Sequence, residues 1–295
     1  MSLFKRLLRL LGLAKRKPDN RYLGKKKALV VGINAYDGSA RLEGCVADAQ
    51  HWYSYLTSVC GFEVRVLTDA RATKENILHR LQWLCEGTKK GDVVAFTYSG
   101  HGARVRDRSG DELKDAQDEC LIPIDYNWDD GVVLDDDIDQ CLRKLNEGAK
   151  AYLVFDCCHS GTMTRELSDN PGARKSRHLA PPFDIRARSE CADVPLVRIG
   201  HHMAEAHHNV VALSACQDNE TAAEAVMSGQ SQGAFSYFLL HMLREKPVAA
   251  VGRLIEDVSK QLKKADYAQT PCLTASSALA ALPFVGPVGG QEDGR

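Results

Sequence analysis

Two short polar clusters, each following an apolar run, hold the residues best suited to chemistry. The first is Tyr98-Ser99-Gly100-His101-Gly102, after the run DVVAFT at Asp92–Thr97. The second is Asp156-Cys157-Cys158-His159-Ser160-Gly161, after AYLVF at Ala151–Phe155. A cysteine attacks a carbonyl as its thiolate and needs a base within reach. Imidazole is the side chain whose ordinary pKa suits that task. His101 and a cysteine of the second cluster therefore form a candidate dyad for acyl transfer. Either Cys157 or Cys158 offers the thiol, because adjacent residues near a strand end point to opposite faces. Cys158 is the favoured nucleophile, since it sits where the chain leaves the strand. Cys157 then packs behind it as a small apolar residue. The backbone N–H groups of Gly102 and Cys158 are the candidate donors to a developing oxyanion.

These residues need strands that end at one rim. Apolar runs at Ala28–Ile33, Glu63–Leu67, Asp92–Tyr98, Ala151–Asp156, Asn209–Ser214 and Cys272–Ala275 read as six strands. Helical spacing appears at Cys45–Val59, after Thr73, at Asp135–Asn146, at Gly233–Leu243 and at Leu254–Lys263. Thr73 is placed to cap the second of these. Strand and helix alternate, which predicts an α/β fold with a mostly parallel six-stranded sheet and helices on both faces. Such a sheet presents chemistry at the carboxyl ends of its strands. Ala103–Asn127 reads as a charged loop, and Thr162–His208 as a long exposed loop rich in arginine. The Gly- and Pro-rich end, 286–295, reads as a disordered tail.

Composition narrows the function classes. The 295 residues carry a formal net charge of −1, so nothing global points to nucleic acid. The 10 cysteines are scattered without a CxxC pair, which favours reduced thiols and a cytoplasmic setting. No apolar run reaches the roughly 20 residues of a membrane span. Residues 1–17 place Phe4, Leu7, Leu8 and Leu11 on one helical face, with Lys5, Arg6 and Arg9 on or near the other. This reads either as an amphipathic anchor for anionic lipid or a partner, or as a helix packed on the domain. A zinc site at Cys157, Cys158 and His159 is disfavoured, because consecutive side chains do not converge on one tetrahedral ion. His201, His202, His207 and His208 match no zinc spacing and read as a polar segment.

The two clusters resemble the catalytic blocks of the metacaspases, within the caspase-like cysteine peptidases. Further blocks agree in order: ALVVGINAY at Ala28–Tyr36, LEGCVADA at Leu42–Ala49, DECLIPID at Asp118–Asp125, LDDDI at Leu134–Ile138, and SACQDNETAAE at Ser214–Glu224 followed by GAFSYFLL. The resemblance covers about Lys25 to Leu282. It implies a caspase-like three-layer sandwich over 25–285. That domain divides into a large part (25–165), a linker (166–208) and a small part (209–285), with tails at 1–24 and 286–295. It also implies Cys158 as nucleophile, His101 as general base and acid, and cleavage after arginine or lysine in protein or peptide substrates. The matching specificity-pocket positions are Cys45, Asp48, Ser99 and Asp156. Two carboxylates at the cleft edge would independently favour a cationic side chain. Many relatives are activated by calcium, a hard cation that takes oxygen ligands. The matching positions are Asp118, Asp135 and Asp136, while the fourth acidic position falls on Arg165, which cannot ligate. The arginine-rich loop fits self-cleavage. A monomer is expected. The alternative is a caspase-like scaffold whose thiol is unused.

Overall fold

The computed structural model describes residues 24–106, 117–159, 174–182, 184–185, 203–204, 207–217 and 220–285. Strands are numbered in chain order. The central sheet contains β1 (Lys26–Gly32), β2 (Glu63–Thr68), β3 (Val93–Ser99), β7 (Lys150–Asp156), β9 (Val210–Ser214) and β12 (Cys272–Thr274). Their order is β12-β9-β7-β3-β1-β2. All neighbours run parallel except β12, which pairs antiparallel with β9. These are the six strands expected from the apolar runs.

The pleat explains the three layers. Successive residues of a strand face opposite sides, so Leu29, Val31, Phe96, Leu153 and Phe155 enter one core cluster. Ala28, Val30, Ala95, Tyr152 and Val154 enter the other. Helices α2 (Lys74–Cys85) and α3 (Asp135–Leu142) close the first face with Ile77, Leu81, Ile138 and Leu142. Helices α1 (Cys45–Ser58), α4 (Ala234–Glu245) and α5 (Val251–Lys264) close the second with Trp52, Leu56, Leu239, Leu254 and Val258. A short α6 (Ser277–Ala280) follows β12. Among the described residues, no helix is long and apolar enough to cross a membrane.

Caps set the helix ends. Thr73 Oγ1 accepts the Asn76 N–H at 3.2 Å and starts α2, as its position predicts. Helix α3 stops at Leu142, short of Asn146. Beyond it Lys144 and Leu145 donate to Cys141 and Leu142, three residues back, so the last turn tightens and ends.

Two small sheets depart from the sequence reading. Ala103–Asn127 is not simply a loop. It contains β4 (Gly102–Arg106) and β5 (Gln117–Leu121), which pair antiparallel and continue to β6 (Val133–Leu134). Arg104 stands directly opposite Glu119 and bonds it at 2.8 Å. Charges that neutralise each other across strands looked like loop charges in one dimension. The second small sheet joins β8 (Lys175–Ser176), β10 (Ala223–Met227) and β11 (Gln230–Gly233). Its hairpin turns at Ser228-Gly229, where both φ angles are positive (53° and 83°). Within the segment expected to be an exposed loop, Lys175 and Ser176 are exposed but paired with β10 as β8, and Arg177 is buried.

Candidate active site

The sheet register places the two polar clusters side by side. Ser99 at the end of β3 aligns with Asp156 at the end of β7, and with Gly32 at the end of β1. His101 and Cys158 each lie two residues beyond that aligned pair. They therefore leave adjacent parallel strands at the same rim.

His101 is buried and held on several sides. Its N–H donates to Tyr36 Oη at 3.1 Å, and its carbonyl accepts from Tyr98 Oη at 2.7 Å. The Tyr36 ring lies 4.7 Å from the imidazole, centroid to centroid. Nε2 lies 2.7 Å from the Ala40 carbonyl. A carbonyl only accepts, so Nε2 carries the proton and Nδ1 holds the lone pair of the neutral ring. Nδ1 is buried without a hydrogen-bond partner. Burial pushes the imidazole down to about 4, against an upward pull from the Ala40 carbonyl. The ring is thus neutral and oriented with its basic nitrogen free.

The two cysteines point to opposite faces. Cys157 joins the first core cluster and Cys158 the second. Burial pushes the Cys157 thiol well above its usual range, which leaves it protonated. The Cys158 sulfur does not meet His101. It accepts the Ala222 N–H at 2.7 Å and lies 2.9 Å from both the Glu220 carbonyl and Cys216 Sγ. Shared rim and facing groups are therefore separate matters: the first is present, while the thiol is turned toward the small part of the domain. Contacts with Cys216, Glu220 and Ala222, 58 to 64 positions further along the chain, hold it there, and no sequence spacing encodes them.

The acidic pocket is formed and filled. Arg177 is fully buried, with Nη2 2.7 Å from Asp48 Oδ2 and Nη1 3.1 Å from Asp156 Oδ1. Glu224 Oε2 lies 3.5 Å from Nη2. The Cys45 thiol faces this cluster as well, lying 4.0 Å from Glu224 Oε2. Ser99 is buried at the end of β3, beside Asp156 in register. The start of α4 fixes the carboxylates. The Gly233 N–H donates to Asp48 at 3.1 Å, and the Ser236 N–H donates to Asp156 Oδ2 at 2.9 Å. A helix N-terminus favours anions in this way. Burial and the Asp156 charge push Asp48 up to about 7, against the pull of Arg177.

Sequence reasoning left out Arg177 and Glu224. Glu224 lay in a quoted motif but was not assigned to the pocket. Arg177 was one arginine among several, with nothing local to mark it.

A methyl group at Gly233 would land on Asp156 Oδ2 and the Arg177 guanidinium. Its φ of −70° suits any residue, so only space demands glycine. Gly233→Ala should therefore displace Asp156 and the Arg177 guanidinium and lower the melting temperature, and in an Arg177→Ala background it should also lower turnover of an arginine peptide by about 10²-fold. Activity assays beside a thermal melt check this, and unchanged turnover would contradict the tight pocket.

The Arg177 carbonyl is equally well placed. It accepts the Gly102 N–H at 3.1 Å and the Cys158 N–H at 3.2 Å. These are the two donors expected for an oxyanion. A Cβ at Gly102 would stand 2.5 Å from the Cys158 carbonyl oxygen, so the close approach requires glycine.

The acidic corner lies elsewhere. Asp118 belongs to β5, and Asp135 and Asp136 open α3. Burial first, then Glu119, Asp118 and Asp136, push Asp135 up to about 8. The oxygen donors suit a hard cation. Among the described residues, however, no three His, Cys, Asp or Glu side chains are gathered to hold a metal ion. The donors thus do not form a shell as arranged. Arg165, residues 1–17, His201 and His202 lie outside the described residues. His207 Nε2 lies 2.7 Å from Asp139 Oδ1.

Asp135 supplies a test of sign. The native carboxyl holds its proton to about pH 8, and the unfolded one releases it near 3.8. Its contribution to stability is thus complete below pH 3.8 and lost as pH rises through 8. In chelator, Asp135→Asn should be more stable than wild type by roughly 1–3 kcal/mol at pH 9, and by much less at pH 4. Thermal melts across that range check it, and an advantage that shrinks with rising pH would contradict it.

The family model for the metacaspase peptidase C14 domain matches residues 26–166. Metacaspase-1 of Candida glabrata is 29% identical over 86% of this chain and 73% of its own length. Metacaspase-1A of Aspergillus niger is 30% identical over 89% of this chain and 73% of its own length. The chain belongs to the metacaspase family. As a metacaspase it is a cysteine-type peptidase acting on protein substrates. The crystal structure of protein GSU0716 from Geobacter sulfurreducens shares the fold, with TM-score 0.63 and 24% identity over 89% of this chain and 99% of that one. The matched span of the metacaspase model includes both strand ends at the rim and two pocket carboxylates, Asp48 and Asp156. It stops before Arg177 and Glu224.

Proposed function

We propose that this metacaspase is an endopeptidase that cuts after arginine or lysine, with Cys158 as nucleophile and His101 as base and acid. One observation carries the reading. A guanidinium fills the three-carboxylate pocket while the carbonyl of the same residue rests on the N–H groups of Gly102 and Cys158. A substrate arginine held this way presents its carbonyl carbon to the rim. For attack, the Cys158 sulfur leaves Ala222 and turns toward that carbon. His101 Nδ1 takes the thiol proton and gives it to the leaving amine. The two N–H groups hold the oxyanion. Water then hydrolyses the thioester.

Fluorogenic peptides differing only at the residue before the scissile bond test this. Arginine and lysine should be cut at least about 10³-fold faster than aspartate, which the pocket would repel. Faster cleavage after aspartate would overturn the reading.

Self-cleavage within 166–208 belongs to the same proposal and is supported by an arginine of that linker lying in the pocket. Calcium activation is an extension of it. Asp118, Asp135 and Asp136 would supply the oxygens once these side chains regroup and Asp135 gives up its proton, and the acidic surroundings that hold the proton on Asp135 are what supports the idea. Calcium should raise peptide hydrolysis in wild type and do so far less in Asp135→Asn; equal responses would remove it. A cytoplasmic, reducing setting is supported by nine described cysteines, all free thiols.

A further inference from the structure

The segment Arg174–His178 lies in the cleft in the manner of a bound peptide. Lys175 and Ser176 form β8 and pair antiparallel with Glu224 and Ala223. Strand addition of this kind is a general mode of peptide recognition. The Arg177 N–H continues it by donating to the Ala222 carbonyl at 3.0 Å. Beyond Arg177 the chain stays on the rim: Leu179 N–H donates to the Gly102 carbonyl at 3.0 Å. Two further basic residues have partners. Lys175 Nζ lies 2.8 Å from Glu43 Oε1. The Arg174 guanidinium lies 4.2 Å from the Tyr267 ring centroid and donates to the Ala265 and Asp266 carbonyls.

We propose that Arg177–His178 is the bond this enzyme cuts in itself, and that Glu43 and Tyr267 read basic residues two and three positions before the arginine. This rests on the endopeptidase reading above and extends it to a polybasic substrate class, Arg-Lys-Ser-Arg before the cut. The uncut segment occludes the pocket, so the intact chain is latent until the Cys158 sulfur turns. The sulfur bonds to the Arg177 carbonyl carbon, and the C–N bond to His178 breaks. The thiol proton, carried by His101, goes to the new His178 amine. One water then releases Arg177 as a carboxylate and restores the thiol.

The Lys175–Glu43 pair is exposed, so its effect on rate is small, about two- to fivefold. The Arg174–Tyr267 stacking adds a similar factor. The first factor falls with added salt, because exposed ion pairs are screened.

The test uses the purified full chain. Mass spectrometry of wild type should show fragments ending at Arg177 and beginning at His178, together one water heavier than the intact chain. Arg177→Lys should retain that cut, and Arg177→Ala and Cys158→Ala should lose it. In parallel, acetyl-RKSR, RASR, AKSR and AASR coumarin amides are offered to the wild-type protein. RKSR should be cut about tenfold faster than AASR, and Glu43→Gln should erase the lysine advantage. If arginine peptides are cut but the chain stays whole, or is cut with equal speed in Arg177→Ala, the self-cleavage assignment falls and the endopeptidase reading stands. Equal rates on the four peptides overturn the polybasic assignment, which does not depend on how any variant folds. No cleavage of any arginine peptide by any form would overturn the endopeptidase reading itself.

Discussion

Cys158→Ala is expected to lower kcat/KM on an arginine peptide by about 10⁴-fold or more, with the fold retained. In the proposed mechanism the Cys158 sulfur forms the thioester, and oxyanion donors alone leave a small residue of rate. The variant also removes the acceptor of the Ala222 N–H, now 2.7 Å from the sulfur. An unpaired buried N–H costs about 1–3 kcal/mol, so a modest fall in Tm should accompany the lost activity. Cys158→Ser keeps an acceptor there and should recover much of that stability without recovering the rate. His101→Ala should lose about 10²- to 10⁴-fold, the usual range for a general base. The double variant should be little worse than Cys158→Ala, because residues that act as a unit are not additive. Cys157→Ala is the internal control. If it is inactive while Cys158→Ala keeps most of its rate, the nucleophile has been assigned to the wrong sulfur.

The second large effect lies in the pocket. Asp156→Asn preserves an oxygen for the Ser236 N–H but removes one of the charges facing the guanidinium. Losing one partner of a buried charge pair costs about 2–5 kcal/mol, or roughly 30- to several thousand-fold in kcat/KM for arginine. The comparison must be made in an Arg177→Ala background. In the intact chain the same substitution weakens the internal guanidinium and the substrate alike, and the two effects oppose each other. Citrulline, neutral and nearly the same shape as arginine, gives the clean readout. Wild-type pockets should prefer arginine strongly, and Asp156→Asn should narrow that ratio. An unchanged arginine-to-citrulline ratio would mean that shape, not charge, selects the substrate.

Much of the rim was legible because it depends on local pattern. A parallel strand buried on both faces reads as a continuous apolar run. β3 and β7 announced themselves in this way, and the polar residues after them had to emerge at a strand end. The equal offset of His101 and Cys158 beyond Ser99 and Asp156 came only with the register of β3 on β7. The opposite facing of Cys157 and Cys158 followed from the period of two. β4 and β5 were missed because they are short and because Arg104 and Glu119 neutralise each other only once paired. The hairpin β10–β11 went unplaced for a similar reason, though Ser228-Gly229 was a usable turn signal.

What the sequence by itself determined is the six strands of the sheet and the two polar clusters at the ends of β3 and β7, with Asp48 and Asp156 offered as pocket residues through the resemblance. These rest on hydrophobic period and motif, which act over a few residues. Only the tertiary structure decided that Glu224 joins them, that the Cys158 sulfur is turned to Ala222, Glu220 and Cys216, and that one linker arginine is buried among the acids. Each of these depends on groups 21 to 179 positions apart in the chain, where Coulomb attraction and backbone pairing act through space and leave no period behind.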